Sequence, residues 1–173
     1  MQNRRKFLAQ TLTASTGLLL DNFAALAETP LSFKVPADFS LKMLATSWGF
    51  TGTIDEFCAK AKKAGYDGIE VWAPTKSEDR FALNRATQAN GLEVGFLVGS
   101  SSAEFKEHFT QFIQALKNAA AQKPLYINCH SGKDYFTLEQ AQNIIELSIT
   151  AAKAASIPLY HETHRGRICY SAP

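Results

Sequence analysis

Five short apolar runs, at 41–46, 68–72, 92–98, 124–129 and 157–162, alternate with four longer amphipathic segments. The runs have strand length. The segments repeat apolar residues at spacings of three, four and seven, as helices buried on one face do. A helix between two strands makes those strands parallel and joins them by a right-handed crossover. The alternation therefore limits the chain to a βα architecture, either a doubly wound open sheet or a (β/α)8 barrel.

The helices carry their own punctuation. Thr53 and Glu56 form a capping box ahead of Ile54, Phe57, Cys58, Ala61 and Ala64, with Gly65 as the stop. The second helix follows Ser77, runs through Phe81, Ala82, Ala86 and Ala89, and ends near Asn90-Gly91. Ser101 and Glu104 predict a box for the third helix, whose apolar side is Phe105, Phe109, Phe112, Ile113 and Leu116. Thr137 and Gln140 predict one for the fourth, with Leu138, Ala141, Ile145, Ile149 and Ala152 as its stripe.

Strand parity separates the two candidate folds. Side chains alternate across a strand. Ile69 and Val71 fall on one face of the second strand, and Glu70 and Trp72 on the other. Ile127 and Cys129 oppose Tyr126, Asn128 and His130 on the fourth. Tyr160, Glu162 and His164 share a face of the fifth. A sheet covered by helices on both sides needs two apolar faces, whereas a barrel has an interior and a catalytic rim at the C-terminal strand ends. The expected fold is thus an α/β, partial (β/α)8 TIM barrel spanning 41–173, with about five parallel strands and four intervening helices. No glycine-rich phosphate loop follows any strand.

The N-terminus reads as an address. Asn3-Arg4-Arg5-Lys6-Phe7-Leu8 resembles a twin-arginine export signal, and Ala25-Leu26-Ala27 has the small-x-small pattern of a cleavage site. The stretch Leu8–Leu26 is too polar for a membrane span. The expectation is a signal over 1–27, a linker over 28–40 containing Pro30 and Pro36, export to the periplasm or beyond, and no stable membrane anchor. Of 18 basic and 16 acidic residues, Arg4, Arg5, Lys6 and Asp21 lie in that segment, so the remainder is charge-balanced. No basic surface argues for nucleic acid. The three cysteines, Cys58, Cys129 and Cys169, are too scattered for a disulfide framework.

Gly65-Tyr66-Asp67-Gly68-Ile69-Glu70-Val71-Trp72, Asn128-Cys129-His130-Ser131-Gly132 and His161-Glu162-Thr163-His164-Arg165-Gly166 together resemble, in order and spacing, the xylose isomerase-like sugar phosphate isomerase/epimerase superfamily. The resemblance implies a (β/α)8 barrel that binds one or more divalent cations (Mn, Mg, Co or Zn). It makes Glu162 a metal ligand and a proton-abstracting base. No runs matching the sixth, seventh and eighth strands follow, so an incomplete barrel is expected. It lacks the aspartate, histidine and second acidic residue that the family places there.

The residues themselves leave alternatives open. Glu162 either binds a metal and moves a proton or forms an ion pair with Arg165 or Arg167. His130 could bind a metal or substrate oxygens, or be a hydrogen-bonded rim histidine; His164 and Arg165 are candidate substrate ligands. Trp72 and Trp48 end strands where they could stack on a sugar. Glu70 orients neighbouring polar groups or fills a polar layer. His161 has the wrong parity and reads as a satisfied buried histidine, while His108 reads as surface. The leading expectation is a metal-dependent isomerase or epimerase of a carbohydrate or polyol. The alternatives are an inactive or carbohydrate-binding incomplete barrel, with self-association through its open edges, and an endonuclease IV-like phosphodiesterase.

Overall fold

Strand β1 spans Leu44–Thr46, β2 Gly68–Trp72, β3 Glu93–Gly99, β4 Tyr126–His130 and β5 Leu159–His161. Helices α1 (Ile54–Lys63), α2 (Ser77–Asn90), α3 (Phe105–Ala120) and α4 (Leu138–Ala155) fill the gaps between them. These come from a computed structural model that describes residues 39–170. The expected export signal and most of the expected linker lie outside the described residues. Leu41 begins one compact unit, and that unit is the subject below. Among the described residues no helix is long and apolar enough to cross a membrane.

The five strands pair in chain order, β1-β2-β3-β4-β5, and every pair is parallel. Sequential order is the barrel arrangement; a doubly wound sheet would reverse direction at a switch point. The chain thus forms five consecutive strands of a TIM barrel with four connecting helices.

The sheet's two faces differ as parity predicts. Ile69, Val71, Phe96, Val98, Ile127 and Cys129 are buried on the helix side. Phe57 and Cys58 of α1, Leu83 and Ala86 of α2, Phe112 and Leu116 of α3 and Ile144 of α4 close over them as one core. Each large apolar side chain fully buried there contributes about 1.5–3 kcal/mol. Thr53 and Thr137 cap α1 and α4 in complete capping boxes with Glu56 and Gln140. Gly91 ends α2 at φ +56°, a left-handed conformation that only glycine adopts without steric cost.

Four local expectations are corrected. Helix α3 begins at Phe105 with Glu104 as its cap and no side-chain capping bond, so the Ser101–Glu104 box does not form. Ser102 Oγ instead donates to Glu107 Oε2 at 3.0 Å. On α2, Phe81 is 71 % exposed, and Leu83, Ala86 and Thr87 make the buried side. On α4, Leu138 and Ile149 are exposed, while Ile144 and Ser148 face the core. His108 is fully buried rather than surface.

Candidate functional site

The sheet face turned away from the helices carries polar and aromatic side chains in rows set by the strand register. Thr46, Glu70, Gly95 and Tyr126 share the first row. Trp72, Leu97, Asn128 and Tyr160 share the second. Gly99 and His130 share the third, and Glu162 joins them because its N–H donates to Cys129 O at 3.0 Å, just beyond β5. The rows ascend toward the C-terminal strand ends, where barrel active sites lie.

In the first row Tyr126 reaches over β3 and donates its hydroxyl proton to Glu70 Oε2 at 2.6 Å. A Cβ on Gly95 would stand 2.6 Å from Tyr126 Cζ, so the absence of a side chain is what lets the ring cross. Burial, together with the Glu70 carboxylate, pushes the phenol well above its ordinary range, and it stays protonated. Glu70 therefore orients a neighbour, as one of its two expected roles required.

At the rim, one carboxylate oxygen gathers the polar groups. Glu162 Oε2 accepts from Asn128 Nδ2 at 2.9 Å and lies 2.8 Å from His130 Nε2. His130 is 5 % exposed. Burial lowers its proton affinity, the Glu162 charge opposes that, and the net direction is down. A neutral imidazole fits: its Nε2–H donates to Glu162. Oε1 of Glu162 accepts no hydrogen bond among the described residues and remains available. The ion pair to Arg165 or Arg167 does not form. Arg167 Nη1 instead donates to Gly132 O at 3.1 Å and lies 3.5 Å from Ser100 O.

The flanking expected residues divide. The Trp72 ring lies 5.1 Å from the His130 ring, and the His164 ring lies 5.0 Å from it. The structure thus brings Glu162, His130, His164 and Trp72 together. Trp48 is 69 % exposed, and no ring or polar contact among the described residues ties it to the cluster. Arg165 is exposed, its carbonyl accepting from His164 Nδ1 at 2.7 Å. Asn128, Tyr126 and Tyr160 belong to the face, as strand parity predicts, although no role of their own is read from the sequence. Their shared parity with His130 and Glu162 was the available signal.

On the opposite side of the same strand ends, Ser131 Oγ lies 2.6 Å from His161 Nδ1. Residues 130 and 162 pair on the inner face while 131 and 161 pair on the outer. His161 is only half-buried, and its Nε2 is buried without a partner among the described residues, so it is not the fully satisfied histidine expected.

The sequence resemblance implies a divalent cation. A carboxylate beside an imidazole is a suitable donor set for one. Among the described residues, however, no three His, Cys, Asp or Glu side chains are placed to hold a single ion. Glu162 and His130 alone do not make a metal site among the described residues.

No family model matches the chain, and no curated protein matches it in sequence. Among solved structures it is similar to the apo form of 3-keto-D-glucoside 4-epimerase YcjR from E. coli, with a TM-score of 0.58 and 13 % identity. That likeness covers 74 % of this chain and 58 % of the epimerase, so the chain spans less than two thirds of it. A putative deoxyribose-phosphate aldolase from Coccidioides immitis aligns at a TM-score of 0.48 with 17 % identity, over 69 % of this chain and 46 % of that one. At such identities the first likeness shows a shared fold, and the second adds no argument.

Proposed function

We propose that this barrel arc carries a proton-transfer site of a sugar isomerase or epimerase, with Glu162 as the group that takes and returns the proton. The observation that carries the reading is the treatment of one carboxylate at the strand ends. Asn128 and His130 hold Oε2, and Oε1 accepts no hydrogen bond among the described residues. A base held in one orientation by two donors loses little entropy when a substrate C–H arrives. The neutral His130 imidazole and the Asn128 amide can donate to substrate hydroxyls at the moments when Glu162 is protonated.

Trp72, 45 % exposed, and Tyr160, 57 % exposed, offer apolar faces with polar tips along the same surface. Such groups stack on the C–H faces of sugar rings. The fold shared with a 3-keto-D-glucoside epimerase agrees with a carbohydrate as the substrate class. A divalent ion belongs to the proposal as a cofactor. It would acidify the C–H beside a carbonyl, with Glu162 and His130 as two of its ligands in place of the hydrogen bond they share here.

The exposed aromatics also favour a second reading, carbohydrate binding without turnover. One experiment separates the two. Keto sugars are incubated with the protein in D2O, with and without Mn, Mg, Co or Zn, and exchange at the carbon next to the carbonyl is followed by NMR. The expected result is catalysed exchange that drops by about 10²–10⁴-fold in Glu162→Gln. Equal exchange rates in the wild type and Glu162→Gln would sink the assignment. Saturable sugar binding with no exchange in either would establish the binding module.

A further inference from the structure

Strand β3 separates β2 from β4, and neighbouring strands stand about 4.8 Å apart, so side chains of β2 and β4 meet only where β3 leaves room. Its inner face alternates Gly95, Leu97 and Gly99. Each glycine admits one crossing. Over Gly95, Tyr126 of β4 reaches Glu70 of β2. Over Gly99, Trp72 of β2 meets His130 of β4. A Cβ at position 99 would stand 3.3 Å from His130 Cβ and 3.5 Å from Trp72 Cζ3, crowding the first and touching the second. Leu97 lies between the two crossings, and it is 4 % exposed although it stands apart from the helix-side core.

The second crossing reaches the group that holds the carboxylate. The Trp72 and His130 ring centroids are 5.1 Å apart with their planes tilted by 58°, within the range in which aromatic pairs attract. His130 is 5 % exposed and directs Nε2 at Glu162 Oε2, 2.8 Å away. Its side-chain torsions have other staggered wells, and packed neighbours decide which one is kept. Two rings pack on it. His164 belongs to the exposed loop after β5, with its Nδ1 2.7 Å from Arg165 O. Trp72 is the last residue of a strand paired on both sides, and the Ala73 N–H beyond it donates to Leu97 O at 3.0 Å. A group on a strand positions its neighbour more closely than a group on a loop does.

We infer that Trp72 is a positioning residue: seated above Gly99, its ring backs the His130 imidazole and keeps Nε2–H on the Glu162 carboxylate. This role differs from stacking on a sugar, because it operates with no ligand present. It rests on the proposed function only for what the carboxylate does. The order indole, imidazole, carboxylate belongs to the free protein, and glycine at position 99 makes it possible.

The full chain, isotope-labelled and free of sugar and metal, is followed by NMR at neutral pH, with the His130 Nε2–H resonance identified by its loss in His130→Gln. The wild type should show nuclear Overhauser contacts between the Trp72 and His130 ring protons, and a His130 ring N–H protected from exchange with water. In Trp72→Ala that exchange should run about three- to tenfold faster, the size that an aromatic pair of this kind supports. Trp72→Phe should restore most of the protection, and Gly99→Ala, which crowds the contact from beneath, should fall between the two. The backbone amides of Val98 and Cys129 report global opening and should exchange as slowly as before. The wild-type ring contacts and Gly99→Ala decide the matter even where Trp72→Ala fails to fold. Missing ring contacts, an unprotected His130 ring N–H in the wild type, equal exchange in the wild type and the variants, or an acceleration shared by the Val98 and Cys129 amides would each overturn the inference. Failure of the deuterium-exchange assay leaves these ligand-free results unchanged, and their failure leaves Glu162 open as the base.

Discussion

The two faces of the sheet are built from the same strands and follow opposite rules. On the helix side, Ile69, Phe96, Val98 and Cys129 are almost wholly buried, and dispersion among close-packed atoms holds them. On the inner side, Glu70, Tyr126, Asn128, His130 and Glu162 are joined by specific hydrogen bonds and aromatic contacts across three strands. The helix side depends on volume and the inner side on direction. Stability and chemistry should therefore respond separately to substitution.

The largest test of that separation is Phe112→Ala. Phe112 is completely buried between α3 and the sheet. Its truncation should cost about 3–5 kcal/mol in urea unfolding while leaving any folded fraction with an intact rim. A smaller loss, or sugar-dependent behaviour changed more than stability, would break the division between the faces. Next comes Gly95→Ala, which places a methyl group under the Tyr126 ring. Swinging the ring away breaks its bond to Glu70, with an expected cost of about 1–3 kcal/mol. Tyr126→Phe in the Gly95→Ala background should then have almost no added effect, because the bond is already gone; a full additive penalty would refute the crossing geometry.

The smallest effect comes from pH. His108 sits in the helix layer, where burial holds its proton affinity below the ordinary value of 6.5. The unfolded chain therefore binds a proton that the folded chain refuses. Its contribution is complete above about pH 6.5 and is lost as pH falls below it. His130 and His161 are shifted in the same direction, also by burial. The melting temperature should fall on acidification from neutral pH, and less steeply in His108→Asn. An identical slope in the variant would mean that His108 is not a buried neutral group.

Much of this was legible in the chain itself, for physical reasons that also explain the failures. Strand parity has a period of two and needs only local residues, so Glu162 and His130 were assigned to one face correctly. Helix faces are harder when apolar residues surround the helix. In α4, Ile144, Ile145, Leu147 and Ile149 cover most directions, and the stripe was drawn through Leu138 and Ile149 instead of Ile144 and Ser148. His108 follows Phe105 by three and precedes Phe112 by four, the spacings of one helix face, yet its polarity suggests surface. The Tyr126–Glu70 bond links residues 56 apart across an intervening strand, which no local pattern encodes. The glycine at position 95 was its only trace.

The crossed pairs at the ends of β4 and β5 have a further consequence. Strand β5 has only three residues and little backbone pairing of its own to fix its alignment. A slip by one residue would turn every side chain over. Glu162 would then point at the apolar layer beside Cys129, and Thr163 would occupy the carboxylate's place. Burying an unpaired carboxylate is so unfavourable that the slipped state is strongly disfavoured. Two adjacent residues of opposite character thus act as a proofreading device for alignment, and the Glu162 carboxylate helps set the register that positions it.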